Sequence, residues 1–207
     1  MVTTLQFYYD IGSPNAYLAW RALSATPGIE LDMRPVLIGG LFKSANNQPP
    51  WQAFGGVPLK MRYMMTEIER FTRMYGLAEF AMNPHFPVNT LLPMRAATAA
   101  LAEGVHAGAV APLMRGMWEA GEKLSDPDAL ARVLDAAGLD GAHLVSRAGD
   151  PDIKQALMDA TAKASERGVF GLPAWFADAN EDGGEEMWFG KDCVWMMHPD
   201  AKAVLPG

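Results

Sequence analysis

Residues 7–19 read FYYDIGSPNAYLA, and this stretch decides the fold. Its aromatic, apolar start is typical of a buried strand, and residues 12–14 (Gly-Ser-Pro) interrupt it. Proline is favoured at the first position of a helix, because an N–H group would have no partner there. We therefore expect a strand over Leu5–Tyr9, a tight turn, and a helix that begins at Pro14 and ends near residue 27.

A second strand is predicted directly after this helix. The segment Ile29–Ile38 begins with alternating apolar and polar residues, which is the pattern of a half-buried strand. A strand, a helix and a second strand in this order favour a right-handed crossover between two parallel strands.

The middle of the chain has the pattern of helices. Apolar residues recur at helical spacing from Pro58 onward, and we interpret the face with Met61, Met64 and Met65 as core. Further helices are predicted over Thr90–Ala102, Pro112–Ala120, Pro127–Ala137 and from Pro151 to Gly168.

The last part of the chain returns to strands. Two short strands are predicted over Pro173–Phe176 and Glu186–Phe189, joined by a turn within Asp178–Gly184, and a short helix is predicted from Asp192. The order is β-α-β, helices, then β-β-α. This is an α/β, thioredoxin-like order in one domain over residues 1–207, with a helical insertion over approximately residues 57–150.

Composition excludes several classes of function. The formal net charge is -7 and no run of Lys or Arg is present, so we expect no nucleic-acid partner. No stretch approaches the roughly 20 apolar residues that cross a bilayer, and the first residues do not resemble a signal peptide, so we expect no membrane partner and a cytoplasmic location. The histidines are scattered without metal-binding spacing, and no metal is expected.

Ser13 is the first candidate for chemistry. It lies between a predicted strand and a predicted helix, where the N–H groups of the helix start can stabilise an anion. The ordinary alternative is a helix N-cap, which capping preference alone favours by roughly four to one. The order of elements favours function, since it puts this turn at the redox site of a thioredoxin-like fold.

A redox site there would have the pattern Cys-x-x-Cys, but Ser13 and Ala16 occupy the two thiol positions. The one cysteine of the chain, Cys193, is far away in sequence. Dithiol–disulfide exchange is therefore excluded at these residues. If this site is active, the sulfur has to come from a ligand.

Pro173 is the second candidate, at the head of a predicted strand. A trans turn proline is the ordinary alternative, because only about 5–6% of X–Pro bonds are cis. In a thioredoxin-like fold, however, the proline at this place is cis and faces the active-site helix. The backbone N–H and C=O of Leu172 are then available to pair with a peptide-like ligand.

Five segments, in order along the chain, carry a resemblance to a known family. They are residues 7–19, Asn47–Pro50 with Val57–Lys60 and Tyr63, Trp118–Pro127, Val169–Pro173 and Glu186–Asp192. With them the chain resembles the 2-hydroxychromene-2-carboxylate isomerases, which belong with the kappa-class glutathione transferases in the DsbA-like branch of thioredoxin folds. The resemblance covers nearly the whole chain.

The resemblance implies that glutathione is the cofactor. Ser13 would hydrogen-bond its sulfur, and Leu172 beside Pro173 would bind its cysteinyl backbone. Asn47 and Lys60 would hold a terminal carboxylate, the glycyl one by preference. From the residues alone, Lys60 is better explained as a solvated charge on a helix.

The resemblance also implies that Asp192 and the helix start around it hold the γ-glutamyl end. From the residue alone, Asp192 is better explained as an N-cap. Cys193 stands where the family often has Arg, and Lys191 is an alternative source of that charge. Asn89 is a further candidate, as a substrate contact.

The function expected from the resemblance is glutathione-dependent cis–trans isomerisation of a small aromatic enone acid by reversible thiolate addition. A kappa-class-like glutathione transferase and a non-catalytic thioredoxin-like binding protein are the alternatives. A homodimer is left open, since relatives are often dimers.

Overall fold

The computed structural model describes residues 2–179 and 184–197, without the side chains of residues 178, 179 and 184. The strands are β1 (Thr3–Tyr9), β2 (Ile29–Pro35), β3 (Ala174–Ala179) and β4 (Gly184–Phe189). The helices are α1 (Pro14–Ser24), α2 (Ile38–Ser44), α3 (Pro50–Ala53), α4 (Pro58–Met74), α5 (Leu91–Ala102), α6 (His106–Trp118), α7 (Pro127–Asp135), α8 (Gly141–Arg147) and α9 (Pro151–Glu166), followed by a 3-10 helix over Lys191–Met197.

The strands form one mixed sheet in the order β2-β1-β3-β4. β1 runs parallel to β2 and antiparallel to β3, and β3 pairs antiparallel with β4. The parallel pair and the β3–β4 hairpin confirm the predicted order and the thioredoxin-like fold. The loop residues of that hairpin, 180–183, lie outside the described residues.

The sheet has a core on each face, because side chains alternate along its strands. In β1, Phe7 and Tyr9 belong to the larger core, with α1, α5 and α6, whereas Tyr8 belongs to a smaller one. The smaller core includes Leu41 of α2 and Ala164 of α9. Since β1 is central and buried on both sides, the turn after it is held by elements from all around it.

Several predicted boundaries are wrong. The strand predicted to end at Phe176 continues to Ala179, and two further differences concern helices. The strand predicted over Ile29–Ile38 ends at Pro35, and α2 begins at Ile38. The helix predicted from Pro112 begins at His106, so that Pro112 lies inside α6. Proline at a helix start is only a preference, and the packing of α6 against α5 and α7 overrides it here.

The interpretation of the methionine face of α4 as core is also wrong. Met65 is 41% exposed, and Met61 and Met64 are only partly buried. The buried residues of α4 are Ile68 and Phe71, in the second half of the helix. Apolar periodicity identified the face correctly, but the first half of this face is less buried than the second.

Candidate functional site

The turn between β1 and α1 (residues 10–13, the β1–α1 turn) is organised by the buried carboxylate of Asp10. Asp10 Oδ1 accepts the Gly12 N–H at 2.8 Å, and its backbone carbonyl accepts the Ser13 N–H at 3.0 Å. Asp10 Oδ2 accepts the Ile38 N–H at 2.9 Å and the Thr90 hydroxyl at 3.0 Å. The turn is thus attached to the starts of α2 and α5.

The middle of the turn is held through its backbone by two side chains of the helical region. The Ile11 N–H donates to the Met94 sulfur at 3.4 Å, and the Ile11 carbonyl accepts the Trp118 indole N–H at 2.7 Å. Ile11, Met94 and Trp118 have no solvent exposure. Because buried backbone groups are costly to leave unpaired, these contacts fix the path of the chain.

Ser13 is both a helix N-cap and a bridge to a second loop. Its Oγ accepts the Ala16 N–H at 3.1 Å, which is the ordinary capping bond. The same hydroxyl donates to the Leu172 carbonyl, also at 3.1 Å. Ser13 is 4% exposed. A ligand atom that reached it would therefore meet a nearly enclosed hydroxyl at the start of α1.

The start of α1 offers fewer free donors than its sequence suggests. The N–H groups of Ser13 and Ala16 already have partners, and Pro14 has no N–H. Asn15 is half-buried, and its N–H has no hydrogen-bond partner among the described residues. An anion here would have the Asn15 N–H, and the Ser13 hydroxyl if that group turned away from Leu172.

The loop before β3 lies against this turn. The Leu172–Pro173 peptide bond is cis, as predicted. The Leu172 carbonyl is already used by Ser13, whereas the Leu172 N–H has no partner among the described residues. The Pro173 carbonyl accepts the Gly190 N–H at 3.0 Å and so joins the loop to the turn that precedes Lys191.

Asn47 is placed beside the same loop. Its side-chain Nδ2 donates to the Phe170 carbonyl at 3.1 Å, and its Oδ1 accepts the Gln48 N–H at 2.8 Å. Phe170 is two residues before Leu172. Asn47 and Ser13 are therefore both hydrogen-bonded to the loop that carries Leu172 and Pro173, at Phe170 and at Leu172.

Lys60 does not join this group in the structure. It lies in the first turn of α4, exposed to solvent, and its Nζ stands 3.3 Å from the centroid of the Phe54 ring. Its ammonium forms no ion pair with the described residues. Lys60 is therefore a cation on a solvent-exposed segment, with an aromatic ring as its neighbour.

Asp192 and Lys191 form an ion pair at the start of the 3-10 helix. The side chain of Asp192 is 71% exposed, whereas that of Lys191 is 5% exposed and lies near the Phe71 ring. The adjacent Cys193 donates its S–H to the Phe189 carbonyl at 3.2 Å, and burial raises the pKa of this thiol. Cys193 is therefore not activated as a thiolate.

Asn89 lies next to the β1–α1 turn, because the following residue, Thr90, bonds to Asp10. Its Oδ1 accepts the Leu91 N–H at 3.0 Å, and the side chain is exposed. Thr90 also packs on the turn: a Cβ atom at Gly12 would lie 2.8 Å from Thr90 Cγ2. The role of Asn89 as a substrate contact therefore stays a prediction.

Asp10 and Thr90 are site residues that sequence reasoning missed. The available signal was a carboxylate directly after an apolar strand. Burial raises the pKa of Asp10 above its ordinary range, and the hydrogen bonds from Ile38, Gly12 and Thr90 act in the opposite direction.

Two further classes of site are absent from the part of the chain that the structure describes. Within residues 2–179 and 184–197, no three His, Cys, Asp or Glu side chains come together as a metal site would require. Within the same residues, none of the helices combines the length and the apolarity needed to cross a bilayer.

Fold and site together define a thioredoxin-like protein in which Ser13 and Ala16 replace the redox thiol pair. The chain belongs to the family of DSBA-like thioredoxin domains, whose model matches residues 4–199.

Two groups of enzymes are among the relatives of this chain. The chain is 28% identical to the rat (Rattus norvegicus) glutathione S-transferase kappa 1 over 200 residues, covering 91% of this chain and 86% of that protein. It is 26% identical to the 2-hydroxychromene-2-carboxylate isomerase of Sphingobium xenophagum over 197 residues, covering 93% and 94%. A solved 2-hydroxychromene-2-carboxylate isomerase matches with a TM-score of 0.78 at 22% identity, covering 94% of this chain and 92% of that one.

Proposed function

We propose that this protein is a glutathione-dependent isomerase of aromatic enone acids of the 2-hydroxychromene-2-carboxylate type. The observation that carries the proposal is the Ser13 hydroxyl, buried at the start of α1 and 3.1 Å from the Leu172 carbonyl. A thioredoxin-like site without thiols of its own needs a sulfur from elsewhere, and glutathione supplies one. Relatedness to an isomerase and to glutathione transferases supports this choice.

The proposed reaction consumes no glutathione. The thiolate adds to the conjugated carbon–carbon double bond, and the electron pair moves onto the carbonyl oxygen. The former double bond is now single and rotates. The electron pair then returns, the double bond reforms in the other geometry, and the thiolate leaves.

The task of the β1–α1 turn is to keep the sulfur ionised near neutral pH. Lowering a thiol pKa by about two units requires roughly 2.7 kcal/mol of preferential interaction with the thiolate. A charge-assisted hydrogen bond from the Ser13 hydroxyl, together with the Asn15 N–H and the dipole of α1, supplies an interaction of this size. Ser13 must release the Leu172 carbonyl to donate to sulfur, so the two acceptors compete for one proton.

The ends of glutathione would be held further out. The N–H of Leu172 has no partner among the described residues and suits the cysteinyl backbone, and Asn47 bonds to Phe170 in the same loop. Lys60 would take the glycyl carboxylate, and Asp192 the γ-glutamyl ammonium. Because Asp192 is already paired with a lysine, its net attraction for an ammonium is reduced. Asn89 would contact the aromatic substrate.

A glutathione transferase is the second candidate, favoured by 28% identity to a kappa transferase across 91% of the chain. The same thiolate would attack an electrophile and remain attached to it. The two activities differ in whether the carbon–sulfur bond breaks again, and therefore in whether glutathione is recovered.

Calorimetric titration with glutathione and with S-methylglutathione is the first test, followed by turnover assays on enone acids and chloro-aromatics. Binding of both peptides, with isomerisation at constant glutathione, is expected. Loss of glutathione into a product would favour the transferase. No binding of either peptide to the parent protein would refute both activities and leave a binding protein.

Ser13→Ala separates chemistry from binding, with Ser24→Ala at the other end of α1 as the matched control. Ser13→Ala should bind glutathione within about threefold of the parent, but lose isomerase activity by about 100-fold or more. The ultraviolet absorbance of the bound thiolate should titrate at higher pH. Full activity with an unshifted titration would reduce Ser13 to a helix N-cap.

Two charge variants test the ends of the ligand. Lys60→Ala and Asp192→Ala should each weaken glutathione binding by about 10- to 100-fold, since a charged hydrogen bond contributes about 1.5–3 kcal/mol. Lys163→Ala, on the exposed face of α9, is the control and should have no effect. Unchanged affinity in both variants would mean that glutathione binds elsewhere.

A further inference from the structure

Asp10 accepts donors from three separate parts of the chain. Gly12 belongs to the β1–α1 turn, Ile38 is the first residue of α2, and Thr90 is the residue before α5. α2 has no cap from its own N-cap residue, Leu37. The carboxylate of Asp10 takes that function from the end of β1, so one side chain sets the distance between the turn and both helices.

An uncharged side chain of the same shape cannot make these contacts. Both Asp10 oxygens accept a backbone N–H, from Gly12 and from Ile38. An asparagine has one oxygen and one NH₂ group, so its NH₂ would face one of those N–H groups, donor to donor. The position requires two acceptor oxygens, although burying a carboxyl group is costly.

The contacts of Asp10 extend to the residues that would bind the glutathione sulfur. Its carbonyl accepts the Ser13 N–H, its Oδ1 holds Gly12, and Thr90 Cγ2 packs against Gly12. Asn15, whose N–H has no partner in the described part of the chain, follows two residues after Ser13. Displacement of the carboxyl group would therefore move both donors that a thiolate can use.

We propose that Asp10 is the positioning residue of this site, which holds the Ser13 hydroxyl and the Asn15 N–H where a ligand thiolate rests. The part of this inference that concerns the thiolate rests on the proposed function. The part that concerns the geometry of the turn does not, and it can be measured without any ligand.

The sign of one measurement separates positioning from a simple charge effect. If Asp10 acted only as a nearby negative charge, its neutralisation would favour the thiolate and lower the pKa of the bound thiol. Positioning requires the opposite. In Asp10→Asn the turn moves, the donors align less well, and the pKa of the bound glutathione thiol rises.

Asp10→Asn is compared with the pair Thr90→Val and Thr90→Ser, in which only serine keeps the hydroxyl. Without ligand, amide exchange by mass spectrometry should rise about tenfold or more over residues 10–17 and 36–42 in Asp10→Asn, and stay within about twofold over α7. With glutathione, the thiolate absorbance should titrate about one pH unit higher. Thr90→Val should raise both the amide exchange rate and the titration pH of the bound thiol, but by less than Asp10→Asn does. Thr90→Ser should resemble the parent in both measurements.

Three results would overturn the positioning role. They are a lowered or unchanged thiol pKa in Asp10→Asn, an exchange increase spread evenly over the chain, and equal behaviour of Thr90→Val and Thr90→Ser. If Asp10→Asn does not fold, the Thr90 pair decides alone. If the parent binds no glutathione, the proposed function fails, and the ligand-free exchange data still accept or reject positioning by Asp10.

Discussion

The β1–α1 turn is buried, whereas the segment that carries Lys60 is largely exposed to solvent. Asp10 and Ile11 have no exposure and Ser13 has 4%, and side chains from α5 and α6 hold the backbone. The second segment, residues 50–65, is here called the outer arm and consists of α3 and the first half of α4. In the outer arm, Leu59 is 71% exposed to solvent and Tyr63 is 52% exposed.

The difference indicates how the proposed activity is divided. Groups that act on a reacting atom work best when their positions are fixed before the ligand arrives. Groups that only hold a ligand's end can be ordered by binding, at a cost in affinity. Changes in the turn should therefore alter stability and chemistry together, whereas changes in the outer arm should leave stability nearly unchanged.

The largest expected contrast is between two tryptophans. Trp118 is fully buried, stacks near Phe80 and Phe86, and donates to the Ile11 carbonyl. Trp118→Ala should lower the free energy of unfolding by about 3–5 kcal/mol. Trp51 in the outer arm is 37% exposed, and Trp51→Ala should cost about 1 kcal/mol or less. Urea denaturation measures the unfolding free energy of both variants. Similar losses in the two would contradict the distinction between the buried turn and the outer arm.

The second prediction concerns pH and the last residue of β1. The Tyr9 hydroxyl lies 2.9 Å from His106 Nε2, and burial lowers the pKa of His106 to about 4. An unfolded histidine has a pKa of about 6.5, so between these values the unfolded chain binds a proton that the folded chain does not. The contribution of the neutral His106 to the free energy of unfolding is complete above pH 6.5. It is lost as the pH falls to about 4, and the loss is at most roughly 3 kcal/mol.

His106→Gln isolates this contribution, since glutamine can still bond to Tyr9. Asp10 acts in the opposite direction, because its raised pKa lets the folded chain bind a proton first, so only the difference between parent and variant is informative. The parent should lose more unfolding free energy than His106→Gln between pH 6.5 and 4. His85→Gln, at an exposed position, should follow the parent. Parallel profiles of parent and His106→Gln would contradict the buried neutral histidine.

Local signals made the turn predictable from sequence. The apolar strand, the breakers and Pro14 at the first helical position are all within a few residues of each other, and their outcome depends little on the rest of the fold. The same holds for the end of α9, where Gly168 has a φ of +93°. The position of Pro173 near the Ser13 turn was predicted from the order of the elements, but the Leu172 carbonyl was expected to be available to a ligand and instead accepts the Ser13 hydroxyl.

Non-local contacts explain what the sequence did not predict. The first N–H of α2 is capped by Asp10, 28 residues earlier, so no pattern near Ile38 predicts the start of a helix. The site roles of Thr90 and Trp118 depend likewise on contacts with β1 or the turn after it. For Lys60, sequence reasoning gave a charge on a helix, and the structure agrees, but no described contact joins it to Ser13.

A glycine pair gives a smaller contrast within the same comparison. A Cβ atom at Gly12 would lie 2.8 Å from Thr90 Cγ2 and 3.3 Å from Asp10 Oδ1, whereas one at Gly56 in the outer arm meets no atom within 4 Å. Gly12→Ala should destabilise the protein by about 1–3 kcal/mol, and Gly56→Ala by less than about 0.5 kcal/mol. Thermal unfolding of both variants checks this, and a neutral Gly12→Ala would mean that the turn is looser than its contacts indicate.

The smallest effect is expected for apolar residues of the outer arm itself. Leu59 is 71% exposed, so Leu59→Ser removes little buried surface and should change the free energy of unfolding by about 0.5 kcal/mol or less. Ile68, on the buried half of the same helix, is the matched control, and Ile68→Ser should cost about 2 kcal/mol or more.

Denaturation should be followed at two protein concentrations, because a second copy covering the outer arm would make the stability of the parent depend on concentration. A cost above about 1.5 kcal/mol for Leu59→Ser, with such a dependence, would show that this face is buried in solution. The outer arm would then be an interface, and the contrast with the turn would hold only within one chain.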